Sequence, residues 1–252
     1  MAFGSFSSGK VVRHDGAKAP CKIHYSDYRL NALIDKKEKT EIFYGVGPRF
    51  MMTKTKQELK NIKSVLDFNF CDNPESIVSY SKVSVIVLDH EYNFVRQIDG
   101  QEADFNSEQL ELLNTVPYST DLLIRADFKQ FGMLSNQLES NYTTPHITVV
   151  PEKQAVYRRG EQTLVEYVKN NTLDYASSIS KAELRPGKVR FTVSTTGKVE
   201  NVFLESTSGD VSFDNDVKKL ISKMPGSWTP AEDENGNKVE QQLVFTFGIV
   251  GC

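Results

Sequence analysis

The sequence predicts an α+β protein of two small domains, and three observations carry that prediction. The chain has 252 residues, of which 39% are apolar and 25% charged, a balance that can bury cores and keep a polar surface. Apolar spacing of helical period and of strand period alternate along it. Pro145 and Pro151 bracket a short β-branched run in TTPHITVVPEK at 143–153. Proline removes a backbone donor and holds its neighbour extended, so this reads as a strand feeding a connector, with a boundary near 151.

The elements follow in order. Residues 1–20, rich in Gly, Ser and Lys, read as a flexible segment, leaving 21–150 and 151–252 as the two domains. At 53–68, Leu59, Ile62 and Leu66 share one helical face. Val83, Val85 and Val87 alternate with Ser84, Ile86 and Leu88, a strand buried on both sides. HEYN at 90–93 turns it into a second strand at 94–98, and Asn106 with Gln109 forms a capping box opening a helix through Leu113. DLLIRADF at 121–128 is a further strand.

In the second domain a short helix containing LVEYV (164–168) opens after Gly160. GKVRFTV then places Val189, Phe191 and Val193 toward a core, with Arg190, Thr192 and Ser194 outward. TTG at 195–197 turns the chain back into KVENVFLES. Phe213, Val217, Leu220, Ile221 and Met224 form one stripe of an amphipathic helix. Ser212 is its expected cap, charges match its dipole, and Pro225-Gly226 stops it. After a turn at DENGN (233–237), the last strand puts Leu243, Phe245, Phe247 and Ile249 on one face.

Several functions find no footing. A net charge of −3 without a basic stripe argues against nucleic acid. The longest apolar runs, VSVIVL and LVFTFGIV, are strand-sized and too short to cross a bilayer as helices. The start, MAFGSFSSGKVVRH, has no apolar signal core. Three cysteines (21, 71 and 252) are too few for a disulfide framework, though a Cys21–Cys71 bridge fits an oxidising compartment. The four histidines fall in separate segments, and Cys21-x-x-His24 alone makes no metal set, so no metal or small-molecule cofactor is expected. No nucleophile elbow, phosphate loop or dinucleotide fingerprint occurs, and no carboxylate pair stands out. A non-enzymatic protein is the expectation.

Gly160, Leu164 and Tyr167 in a Gly-x-x-x-Leu-x-x-Tyr helix, GKVRFTVSTTGKV at 187–199, MPGSWTPA at 224–231 and GNKVEQQLVFTFG at 236–248 together resemble the C-terminal domain of the TonB energy-transducer family. The resemblance spans about 155–250. The chain departs from the family pattern at four places: MPGSWTPA carries one residue more than the usual Met-Pro-x-Trp-x-Pro-Ala, Arg159 replaces the first Gly of its usual pair, Tyr175-Ala176 stands for Tyr-Pro, and the last strand lacks its Pro. The resemblance implies a helix-strand-strand-helix-strand fold with a three-stranded antiparallel sheet. It also implies a periplasmic protein, with a leader or anchor outside this chain, that captures a protein partner such as an outer-membrane receptor segment by strand addition.

The implied edge is Val239, Gln241, Gln242, Leu243, Phe245 and Phe247. The alternatives are a homodimer partner on that edge, or its burial by the first domain. Gly160, Tyr167, Pro225, Trp228 and Pro230 form the structural signature, in which Trp228 either anchors the helix to the sheet or contacts a partner. The N-terminal half resembles periplasmic domains of the gliding-motility protein GldM. That resemblance implies a second reading, a structural subunit of an envelope secretion or motility machine.

Overall fold

The computed structural model describes residues 42–71, 73–132, 137–173 and 184–249. The segment 1–20, Cys21, His14, His24, Tyr175, Ala176 and Cys252 therefore lie outside the described residues. Among the described residues the architecture is α+β, mostly sheet, with two large cores and a small cluster of Ile86, Leu88 and Leu123.

The first core lies against one sheet. Its strands are β2 (Met52–Thr55), β3 (Ile77–Leu88), β4 (Phe94–Gly100), β5 (Asp121–Phe131), β6 (Leu138–Thr143) and β7 (His146–Val150), in the order β2-β7-β5-β3-β4 with β6 also on β5. Helices α1 (Lys56–Asn61) and α2 (Ser107–Thr115) cover one face, burying Leu59, Leu112 and Leu113 against Val83, Val85, Leu122 and Ile124. The capping box of α2 forms as expected, with Asn106 accepting from Gln109 N at 2.9 Å and Gln109 Oε1 accepting from Asn106 N at 3.0 Å. The helix expected over 53–68 stops at Asn61 instead. Ser64 and Asp67 make a capping box of their own for a short 3-10 turn, Val65–Phe68, so Leu66 is carried there rather than on a continuous stripe.

The second core lies under α3 (Glu161–Asn171), β9 (Gly187–Val193), β10 (Val199–Ser206), α4 (Val211–Ser222) and β14 (Gln241–Gly248). Ribbons of β8 (Val156–Tyr157) with β11 (Trp228–Thr229), and β12 (Ala231–Glu232) with β13 (Lys238–Val239), close its ends. Helix α4 is capped by Asp210, whose carboxylate accepts from Phe213 N at 2.8 Å. The expected cap, Ser212, sits inside the first turn. Asp214 is buried and accepts from Ser208 N at 2.9 Å, fixing the loop before the helix.

The expected three-stranded sheet has a fourth member. Residues Phe43–Gly47 form β1, antiparallel to β14, giving the order β1-β14-β9-β10. A piece of the expected first domain is thus a strand of the second sheet. Helices pack on the outer faces of both sheets, and the inner faces meet. Arg190, Thr192 and Ser194, expected to face outward, are buried, Arg190 against Asp121 of the first sheet and Ser194 within its own hairpin turn, where its hydroxyl accepts from Lys198 N at 3.2 Å.

Candidate functional site

The second half of the expected binding edge is occupied by a strand of the same chain. Strand β1 pairs with β14 from Phe43↔Gly248 to Gly47↔Val244, while β9 pairs with it on the other side. Where β1 ends, the first domain takes over: Gln242 N donates to Ser119 Oγ at 2.9 Å. Backbone donors on a sheet edge need partners, and here the chain supplies them itself.

Most of the expected contact residues also point inward. Leu243, Phe245 and Phe247 belong to the second core, with Phe247 edge-on to Phe213 at 5.1 Å. Val239 lies in β13, packed against the same core. Gln241 is buried, its Oε1 accepting from Ala155 N at 2.7 Å and its Nε2 donating to Gln154 Oε1 at 3.0 Å. Gln242 alone is exposed, and its Oε1 accepts from Arg190 Nη1 at 3.0 Å.

The signature residues form one end of the core. Gly160 precedes α3 at φ 85°, and Tyr167 packs on the core from that helix. Trp228 is buried, with ring centroids 5.4 Å from Tyr157 and 5.6 Å from Phe191, and its indole donates to Met224 Sδ at 3.3 Å. Its backbone N donates to Gly197 O at 3.2 Å, so it locks the β9–β10 turn. A Cβ on Gly197 would stand 2.2 Å from the Trp228 carbonyl oxygen, which excludes any other residue there. Pro230 adjoins the same glycine, and the Pro225 carbonyl accepts from the Tyr157 hydroxyl. Trp228 therefore sits as a core anchor.

The seam between the sheets holds residues that no motif pointed to. Arg49, on the link from β1 to β2, reaches Asp121 at 3.0 Å and Glu205 at 2.9 Å. Arg190 reaches Glu205 at 2.7 Å and Asp121 at 3.7 Å. Their side chains are 2%, 4%, 3% and 9% exposed for Arg49, Asp121, Glu205 and Arg190. Two cations and two anions thus share one buried seam, and removing any one leaves an uncompensated buried charge.

Arg49 also donates to the Asp89 carbonyl at 2.8 Å and the His90 carbonyl at 2.5 Å, and lies 4.1 Å from the Tyr92 ring centroid. Burial lowers the proton affinity of its guanidinium, but Asp121 and Glu205 outweigh that and the net shift is upward. Burial pushes the Asp121 carboxyl above its ordinary range, against the opposing pull of Arg49 and of Thr148, whose hydroxyl donates to it at 2.8 Å. Burial likewise lowers His146, whose ring lies 4.9 Å from Phe50.

An apolar cavity of about 310 Å³ opens beside β1, lined by Phe43, Gly47, Phe50, Met51, Val244 and Thr246 among others. Cys71 is disulfide-bonded, and Cys21 and Cys252 both lie outside the described residues. Among the described residues no three His, Cys, Asp or Glu side chains gather as metal ligands, and no helix is long and apolar enough to cross a membrane.

One signal could have marked the seam in sequence: HEYN puts a tyrosine where a hairpin turn ordinarily takes glycine. The other seam residues carry no pattern. No family model, curated protein or solved structure matches the chain.

Proposed function

We propose that this is a non-enzymatic protein-binding protein of the bacterial cell envelope, periplasmic, whose TonB-like C-terminal domain takes up an extended partner segment by strand addition at β14. The observation that carries this reading is β1 itself. A segment some two hundred residues away in sequence already lies antiparallel on β14, so that edge is built to accept a strand, with backbone hydrogen bonds supplying affinity and alternate side chains selectivity. The order of α3, β9, β10, α4 and β14 matches the helix-strand-strand-helix-strand order that the resemblance implies.

A second reading, a structural subunit of an envelope secretion or gliding-motility machine, is favoured by the same covered edge and by the buried charges joining the two domains. In that reading the TonB-like fold is an assembly module.

The test is a photo-crosslinking amino acid at exposed Gln242 in the native cell. Capture of an outer-membrane receptor segment supports the first reading. Capture of machine subunits or of a second copy supports the second. Absence of any captured envelope protein would sink both.

A further inference from the structure

Strand β1 is a poor occupant of the place it fills. Its sequence is FYGVG, and glycine in a strand contributes no side chain and costs more backbone entropy than other residues. Two side chains anchor it. Tyr44 and Val46 pack on the second core, with the Tyr44 hydroxyl 2.9 Å from Thr172 Oγ1. Gly45 and Gly47, the alternate residues, stand opposite Thr246 and Val244.

Those positions face the cavity of about 310 Å³. A Cβ built on Gly47 meets nothing within 4 Å, and one on Gly45 meets only the movable ring of Phe43. Phe43 and Met51, at its rim, are 44% and 68% exposed. The Phe43 ring takes the side-chain place of Gly45, and the resident strand leaves that of Gly47 unfilled beside the cavity.

We infer that β1 is a placeholder strand, displaced from β14 by a partner segment that is extended, antiparallel and apolar at the places of Gly45 and Gly47. The inference rests on the strand-addition reading of β14 and adds its regulation and the chemistry of its ligand. Such a segment would keep the core contacts of Tyr44 and Val46 and add burial against Val244, Phe50 and Met51 that β1 forgoes. The binding edge is thereby closed to weak segments and open to better-packed ones.

The experiment uses fluorescein-labelled synthetic peptides copying residues 42–48, one with the native sequence and one carrying Gly47→Val. They are titrated by anisotropy into the full chain carrying Tyr44→Ser and Val46→Ser, which frees the edge. The Gly47→Val peptide is expected to bind roughly tenfold tighter or better, the return for burying one isopropyl group. Equal or weaker binding overturns the inference.

Should that chain fail to fold, Gly47→Val in the otherwise native chain decides. It is expected to raise Tm and to lower crosslinking from Gln242, and an unchanged or lower Tm overturns the inference. If the peptides behave as expected while Gln242 captures no envelope protein, strand exchange stands and the envelope reading falls. Capture with indifferent peptides has the opposite meaning.

Discussion

Two hairpin turns, one joining β3 to β4 and the other joining β12 to β13, share a backbone and differ at a single decisive position. In the first, Asp89 Oδ1 accepts from Glu91 N and Asn93 N at 2.8 Å each, and Asn93 Nδ2 donates to Oδ2 at 2.9 Å. In the second, Asp233 Oδ1 accepts from Asn235 N at 2.9 Å and Asn237 N at 2.8 Å, and Asn237 Nδ2 donates to Oδ2 at 3.0 Å. Each turn needs a left-handed residue fourth in line. The second uses Gly236 at φ 80°, whereas the first uses Tyr92 at φ 66°.

A bulky side chain there costs about 1–2 kcal/mol. Tyr92 is kept in place by what it touches: its ring covers the Arg49 guanidinium at 4.1 Å and meets Phe50 edge-on at 6.1 Å. The difference teaches that a local turn code sets the hairpin, while the seam between the sheets sets which residue occupies its strained position.

The largest test breaks the reason for the difference. Arg49→Met leaves Asp121 and Glu205 with Arg190 as their shared cation, one buried charge short, and is expected to lower unfolding free energy by about 3–5 kcal/mol, read by urea denaturation. A loss below about 1 kcal/mol would mean the seam is wet and Tyr92 needs another explanation.

The next test exchanges the two turns. Gly236→Tyr should cost about 1–2 kcal/mol, since nothing there repays the strain. Tyr92→Gly should cost less, because relief of strain offsets the lost ring contact. In an Arg49→Met background the same Tyr92→Gly change should turn stabilising by about 1 kcal/mol, the sign reversal that a double-mutant cycle reads. Persistence of the original sign would show that Arg49 is not what holds Tyr92.

A subtler test asks whether the shared skeleton is equally sound in both turns. The hydrogen bond from Asn93 holds the Asp89 carboxyl below its ordinary range, and that from Asn237 does the same for Asp233. A depressed folded value means the stabilisation is fully present above the unfolded value, near 3.9, and is lost as pH falls through the folded one. Carboxyl chemical-shift titrations should give both residues low midpoints. An ordinary midpoint for Asp89 alone would show that Tyr92 distorts its turn.

The smallest effect lies beside the second turn. Lys60 reaches Glu234 at 2.8 Å across the domains, but both side chains are well exposed. Lys60→Ala should cost under about 0.5 kcal/mol, in contrast to the buried seam, and urea denaturation in low and high salt would show it.

Much of the fold was legible because it is local. The capping box at Asn106 and Gln109, the turns at HEYN and DENGN, the stripe from Phe213 to Met224 and the alternation of GKVRFTV each need only neighbours in sequence. The misreadings have two causes, local competition for the backbone and the covering of a face by a distant segment. Ser212 lost the cap to Asp210 through the geometry of the preceding loop. The helix over 53–68 ended early because Ser64 offered the backbone a competing partner. Arg190 reads as outward because alternation shows which residues share a face and not what covers the other one. The candidate edge was misjudged for the same reason, since FYGVG carries no stripe that assigns it to a sheet about two hundred residues away.

By itself, then, the sequence determined the α+β class and the order α3, β9, β10, α4, β14, consequences of periodicity, capping and turn chemistry within a few residues. Only the tertiary structure decided that β1 lies on β14, that Arg49 and Arg190 share a buried seam with Asp121 and Glu205, and that Tyr92 stands where glycine would be cheaper. Those depend on which surfaces meet, and pairing between distant segments is set by the burial and charge balance of the whole molecule.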